Sequence, residues 1–108
     1  LKVSNLNKAP VLENALGLDA RVAASAQEAE LVQFTLSPGE VIPPHPMPVR
    51  VFFIVLEGEG EITVDGYSEA ATVNDVIEIE PGAQRGWKSV GKENLRVLAV
   101  KTPRPIIN

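Results

Sequence analysis

Gly39-Glu40-Val41-Ile42-Pro43-Pro44-His45-Pro46-Met47-Pro48-Val49-Arg50-Val51-Phe52-Phe53-Ile54-Val55-Leu56-Glu57-Gly58-Glu59-Gly60 is the stretch from which the rest of this chain can be read. It is entered through Ser37-Pro38-Gly39-Glu40, where proline presets φ and glycine accepts a positive φ, so a turn is predicted. A proline-rich segment follows and carries the single histidine, His45. Val49 to Leu56 is then apolar except for Arg50 and rich in β-branched and aromatic residues, which predicts a strand. Gly58 and Gly60 close the run, and Glu61-Ile62-Thr63-Val64-Asp65 resumes as a second strand. The pair predicts a hairpin whose first strand is covered on both faces.

Composition sets the outer limits. A chain of 108 residues is expected to be one domain, spanning 1–108, and to bury enough surface to fold unaided. The net charge of −4 argues against a nucleic-acid partner, which needs a basic stripe. With no cysteine, disulfides, zinc-thiolate sites and a cysteine nucleophile are excluded. No apolar run reaches the roughly 18 residues of a membrane span. The opening Leu1-Lys2-Val3-Ser4-Asn5-Leu6 is too polar for a secretory leader, so a cytoplasmic location is the expectation.

Outward from the central stretch, the pattern is of short strands and turns. Leu1 to Pro10 reads as an edge strand or an arm, and Val11 to Gly17 as one helical turn stopped by glycine. Leu18 to Ser25 reads as a strand, with a helix over the alanine-rich Ala20 to Ala29 as the competing reading. Glu30 to Leu36 is a clearer strand, with a bulge expected near Val32–Phe34. Asp65-Gly66 is a strong hairpin signal. Ala70 to Val73, Val76 to Glu80 and Leu95 to Lys101 read as further strands. In the second of these Ile77 and Ile79 oppose Glu78 and Glu80, so the glutamates are expected in water. Thr102 to Asn108 reads as a tail lying on the surface or on a partner. The class is all-β and antiparallel, and periodicity does not choose between a sandwich and a jelly roll.

The central stretch resembles the first motif of the cupin family: a glycine, five residues, His-x-His, three residues, a glutamate, six residues and a glycine. Gly39, His45-Pro46-Met47, Val51 and Gly58 keep each spacing. The second motif is a glycine, five residues, Pro-x-Gly, two residues, a histidine, three residues and an asparagine. It is matched more loosely by Asn74, Glu80-Pro81-Gly82, Arg85 and Ser89, with Pro81 one place late. Motifs and flanking strands cover Glu30 to Lys101. The resemblance implies an antiparallel jelly roll, the double-stranded β-helix barrel. It also implies four interior positions where the family's metal ligands stand, held here by His45, Met47, Val51 and Arg85.

That set is poor for a divalent ion. Arginine keeps its proton, valine has no lone pair, and a thioether suits soft metals. No metal and no cofactor is therefore expected. Arg85 is the residue of most interest, since an inward guanidinium must meet an anion of the chain or of a ligand. Met47, Val51 and Phe53 are expected to line the interior, and Trp87 to floor a pocket or fill core. His45 reads as a second donor to a ligand, as a base, or as an inert strand-end histidine, and Arg50, of opposite parity, as a rim or interface residue. The favoured function is a small-molecule binding module for an anionic ligand at His45, Met47, Val51, Phe53, Arg85 and Trp87. The alternatives are a cupin enzyme (isomerase, lyase or metal-dependent oxygenase) using His45, and a structural dimer with a filled barrel. The two-sided apolar strand and the resemblance together imply a homodimer.

Overall fold

In the computed structural model, which describes residues 1–106, nine strands form two sheets, and every strand pairing is antiparallel. The strands are β1 (Asp19–Ser25), β2 (Glu30–Leu36), β3 (Val41–His45), β4 (Arg50–Glu57), β5 (Glu59–Val64), β6 (Tyr67–Thr72), β7 (Val76–Ile79), β8 (Arg85–Ser89) and β9 (Leu95–Thr102). One sheet has the order β1-β2-β9-β4-β7, the other β3-β8-β5-β6. The sheets face each other around a core that includes Leu36, Val51, Val55, Leu95 and Val97, all fully buried. These are the alternate residues of β2, β4 and β9, so the period-two pattern maps directly onto the inner face. No helix among the described residues is long and apolar enough to cross a membrane.

Several local expectations need correction. β4 and β5 are not a hairpin: β4 pairs with β9 and β7, β5 with β6 and β8. The chain changes sheets at Gly58, whose φ is 79°. A long-range partner for each strand outweighs the local proximity that a hairpin would exploit. Val11 to Gly17 is not helical. Val11 makes an isolated bridge to Arg21, and the segment ends in a turn with Gly17 N–H donating to Asn14 O at 3.2 Å. Leu1 to Pro10 forms no strand. The strand reading of Leu18 to Ser25 holds over the competing helix of Ala20 to Ala29, because β1 finds a ladder on β2. The bulge lies on β1, at the register shift between Val22 and Ala24, and not on β2. The proline segment, to which the sequence pattern assigns no element, makes β3.

Other readings match the coordinates. Asp65 and Gly66 have φ of 49° and 86°, the two positive values of a type I′ turn joining β5 and β6. Ile79 is buried and Glu78 and Glu80 are exposed. Glu78 instead pairs with Arg50 across the outer face at 2.5 Å, an exposed bridge worth about 0–1 kcal/mol. In the described part of the tail, Arg104 N–H donates to Gln27 O at 3.1 Å. The rest of the segment expected as a tail, Ile107 and Asn108, lies outside the described residues.

Candidate functional site

A cavity of about 180 Å³ opens between the two sheets at the end where β3 terminates. Its walls follow from strand parity. Val32 and Phe34 project from β2, Phe53 from β4 and Ala99 from β9; Arg85 and Trp87 face them from β8. His45 and Met47 close one side at the end of β3 and just beyond it. Leu12, Asn14, Leu16 and Leu18 come from the loop before β1 and border the mouth. That loop is held by its own asparagine: Asn14 Nδ2 donates to Leu12 O and Leu18 O at 3.1 and 2.8 Å, and Leu18 N–H donates to Asn14 Oδ1 at 2.9 Å.

Five of the six residues singled out in the sequence thus border one cavity. The sixth, Val51, is fully buried on β4 and is not in its lining. His45, Met47 and Val51 do not share one continuous strand. The chain leaves the four-stranded sheet at His45 and joins the five-stranded sheet at Arg50. The two motif regions are tied by backbone, with Gly82 N–H donating to Met47 O at 2.8 Å and His45 registered opposite Arg85.

Three aromatic rings make the floor. Phe53 and Trp87 meet edge to face with centroids 5.4 Å apart. Phe34 lies 6.2 Å from each of them. Such pairs add to the burial of the rings themselves. The Arg85 guanidinium carbon lies 6.0 Å from the Phe53 ring centroid, at the outer limit of a cation–π contact.

Arg85 is the anomaly of the site. It is 5% exposed, and Nη1 donates to His45 O at 2.8 Å, yet its Nε is buried with no hydrogen-bond partner. Among the described residues no carboxylate lies within ion-pair distance of it. Burial pushes the guanidinium below its ordinary pKa. A buried cation in this state is short of a counter-charge.

Sequence reading missed two charged residues of the interior. Lys101, at the inner end of β9, borders the cavity, and its Nζ lies 3.8 Å from Glu30 Oε1 on β2, both side chains being buried. The signal was present in the alternation itself. Leu95, Val97 and Ala99 face in, so Lys101 does too; Val32, Phe34 and Leu36 carry Glu30 with them. Burial lowers the Lys101 pKa, Glu30 opposes that, and Arg85 adds to it.

A pH prediction follows from this pair. Folded Lys101 gives up its proton below the ordinary 10.5 of the unfolded chain. The unfolded state therefore binds more protons in the window below 10.5, and this group's contribution to stability rises with pH there. Removing Glu30 takes away the raising influence. Glu30→Gln should be less stable by about 2 kcal/mol at pH 7, the low side for a buried pair because 3.8 Å is long. The deficit should shrink as pH approaches 10.5 and Lys101 becomes neutral. Urea unfolding at the two pH values checks it, and an unchanged deficit would contradict it.

The residues at the family's ligand positions do not fit a divalent ion: His45 supplies the one imidazole, and Arg85 brings a positive charge. Among the described residues no three His, Cys, Asp or Glu side chains gather as a metal would need.

A family model described as "Cupin domain" matches residues 32–101. No curated protein sequence matches the chain. Among solved structures, KdgF from Halomonas sp. superposes with a TM-score of 0.86 at 15% identity, over 97% of this chain and 96% of that one. The polyketide cyclase RemF from Streptomyces resistomycificus gives 0.84 at 20% identity, over 98% and 82%. An RmlC-like cupin from Shewanella frigidimarina gives 0.80 at 18% identity, over 91% and 86%. At such identities the likeness concerns the fold.

Proposed function

This chain belongs to the cupin family, and on that premise we propose that it is a small-molecule binding module which takes an anionic ligand into its barrel at Arg85. The observation that carries this is the buried guanidinium with an unpartnered Nε in the wall of a mostly apolar cavity, which Asn14, His45 and Lys101 also border. A ligand anion would supply the missing counter-charge through charge-assisted hydrogen bonds. Met47, Phe53 and Trp87 would form the apolar wall, and His45 would stand at the mouth. The test is thermal unfolding with acetate, benzoate, phosphate and sulfate, on wild type and Arg85→Gln. At a hundredfold excess over Kd a bound anion stabilises by about 2.7 kcal/mol, a shift of several degrees. At least one anion should give that shift in wild type and none in Arg85→Gln. If none shifts wild type and Arg85→Gln is severely destabilised, Arg85 is structural.

One observation favours an enzyme of the isomerase or lyase kind as a second reading. His45 Nδ1 lies 3.0 Å from Pro43 O, and a carbonyl only accepts, so Nδ1 carries a proton and neutral His45 keeps Nε2 as an acceptor. His45-dependent deuterium exchange into a bound acid would distinguish catalysis from binding.

The homodimer is proposed on the outer face of the five-stranded sheet. There Phe52 is registered with Val100 and Ile54 with Leu98, all half-buried. Light scattering at tens of micromolar should give twice the chain mass, and a clean monomer would rule it out.

A further inference from the structure

We propose that the ligand is a compact monocarboxylate with an apolar body about the size of one six-membered ring, of the benzoate or cyclohexanecarboxylate kind. This rests on the reading of Arg85 as an anion site and adds the chemical class. Size comes from the cavity: an engineered apolar cavity of about 150 Å³ takes up benzene, and this one is about 180 Å³. A ring with one small substituent fits that space. Acetate would leave most of the apolar wall without contacts, and a fused bicyclic acid would overfill it.

Charge comes from the site's ionisable groups. Lys101 already has Glu30 as a carboxylate neighbour, whereas Arg85 has none among the described residues. A single guanidinium is neutralised by a single negative charge. A second negative charge on the same small body would be driven against Phe34 and Phe53, away from water, where Lys101 is already engaged by Glu30 and the unpartnered Trp87 Nε1–H is a neutral donor. Shape agrees with charge. A planar carboxylate matches the planar guanidinium, whereas a tetrahedral dianion asks for several donors converging from different directions. Phe53 meets Phe34 and Trp87 edge to face, those two are tilted at 60° to each other, and a wall built of ring edges and faces favours a flat or chair-shaped body.

The experiment is calorimetric titration of wild type with benzoate, cyclohexanecarboxylate, acetate, phthalate, phosphate and the neutral isostere benzyl alcohol. Two variants accompany it. Arg85→Gln removes the charge, and Ala99→Leu adds three carbons to the cavity wall while leaving Arg85 in place. Benzoate or cyclohexanecarboxylate should bind at least tenfold more tightly than each of the other four. Arg85→Gln should weaken that binding by about 10- to 100-fold, the loss of charge-assisted hydrogen bonds. Ala99→Leu should abolish ring-acid binding in a protein that still unfolds cooperatively. If phosphate, phthalate or acetate binds best and needs Arg85, the anion site stands and the ring-acid class is wrong. If benzyl alcohol binds as well as benzoate, or Ala99→Leu binds benzoate normally, the class is also wrong. If no anion binds wild type, both the class and the anion site fall.

Discussion

Gly58→Ala is expected to lower the melting temperature by about 15 °C or more, from two effects acting at once. At φ 79° an alanine sits in the left-handed region, at about 1–2 kcal/mol. Its methyl would also collide with the backbone carbonyl of Asn94, closer than real Cβ atoms come. That carbonyl belongs to the turn entering β9, the central strand of the five-stranded sheet, so it cannot swing aside as a side chain would. Overpacking of this kind adds about 1–3 kcal/mol. The site is where the chain passes from one sheet to the other, so strain there loosens both. Gly66→Ala is the control. Its φ is 86°, yet nothing lies within 4 Å of the added carbon, so only the conformational part should be lost. Thermal unfolding of both variants separates the two effects. Equal losses would mean that the Asn94 contact relaxes freely.

Trp87→Ala is expected to destabilise by about 3–5 kcal/mol, as large-to-small changes at a buried aromatic do. The indole is 3% exposed and spans the gap between sheets, meeting Phe53 of the opposite layer edge to face and Phe34 at a 60° tilt. The neighbouring strand of its own sheet is shaped for it: a Cβ at Gly60 on β5 would come within 3.0 Å of the ring. Removing it merges its volume with the cavity between the sheets, so the neighbouring rings lose a wall that they cannot close by collapse. Trp87→Phe should lose far less, about 1 kcal/mol, since Nε1 has no hydrogen-bond partner to forfeit. Urea midpoints measure both. A loss under about 1 kcal/mol for the alanine variant would contradict the description of this cluster as the inter-sheet anchor.

How far the sequence could be read depends on which physical signal each element carries. β7 and β9 are legible because one face of each is dry and a period-two pattern survives, and β4 because it is a run of apolar β-branched and aromatic residues. The Asp65-Gly66 turn is legible because only a few residues accept two positive φ values in succession. β3 was hidden by Pro43 and Pro44, which cannot donate to a ladder. They are tolerated because β3 is the edge of its sheet and needs a partner on one side only. The sheet change at Gly58 was illegible for a different reason. Two apolar strands separated by a glycine look like a hairpin locally, and only the distant pairings with β9 and β8 decide otherwise. At the cavity, His45, Met47, Phe53, Arg85 and Trp87 could be placed together from spacing and resemblance. Glu30 and Lys101 were readable from the same alternation but were masked by the habit of assigning charges to water. The loop from Leu12 to Leu18 carries no periodicity, and its shape comes from the Asn14 hydrogen bonds, which spacing does not encode.

The most direct measurement is of Arg85 itself. In a 15N–1H spectrum of the folded protein the Arg85 Nε–H signal, identified by its loss in Arg85→Lys, should shift and exchange more slowly with solvent when benzoate is added to saturation. The Nε–H signals of Arg21, Arg50, Arg96 and Arg104 should stay where they are. An Arg85 signal that neither moves nor gains protection, with benzoate and then with acetate and phosphate in large excess, would contradict the claim that this buried guanidinium is there to meet a ligand anion.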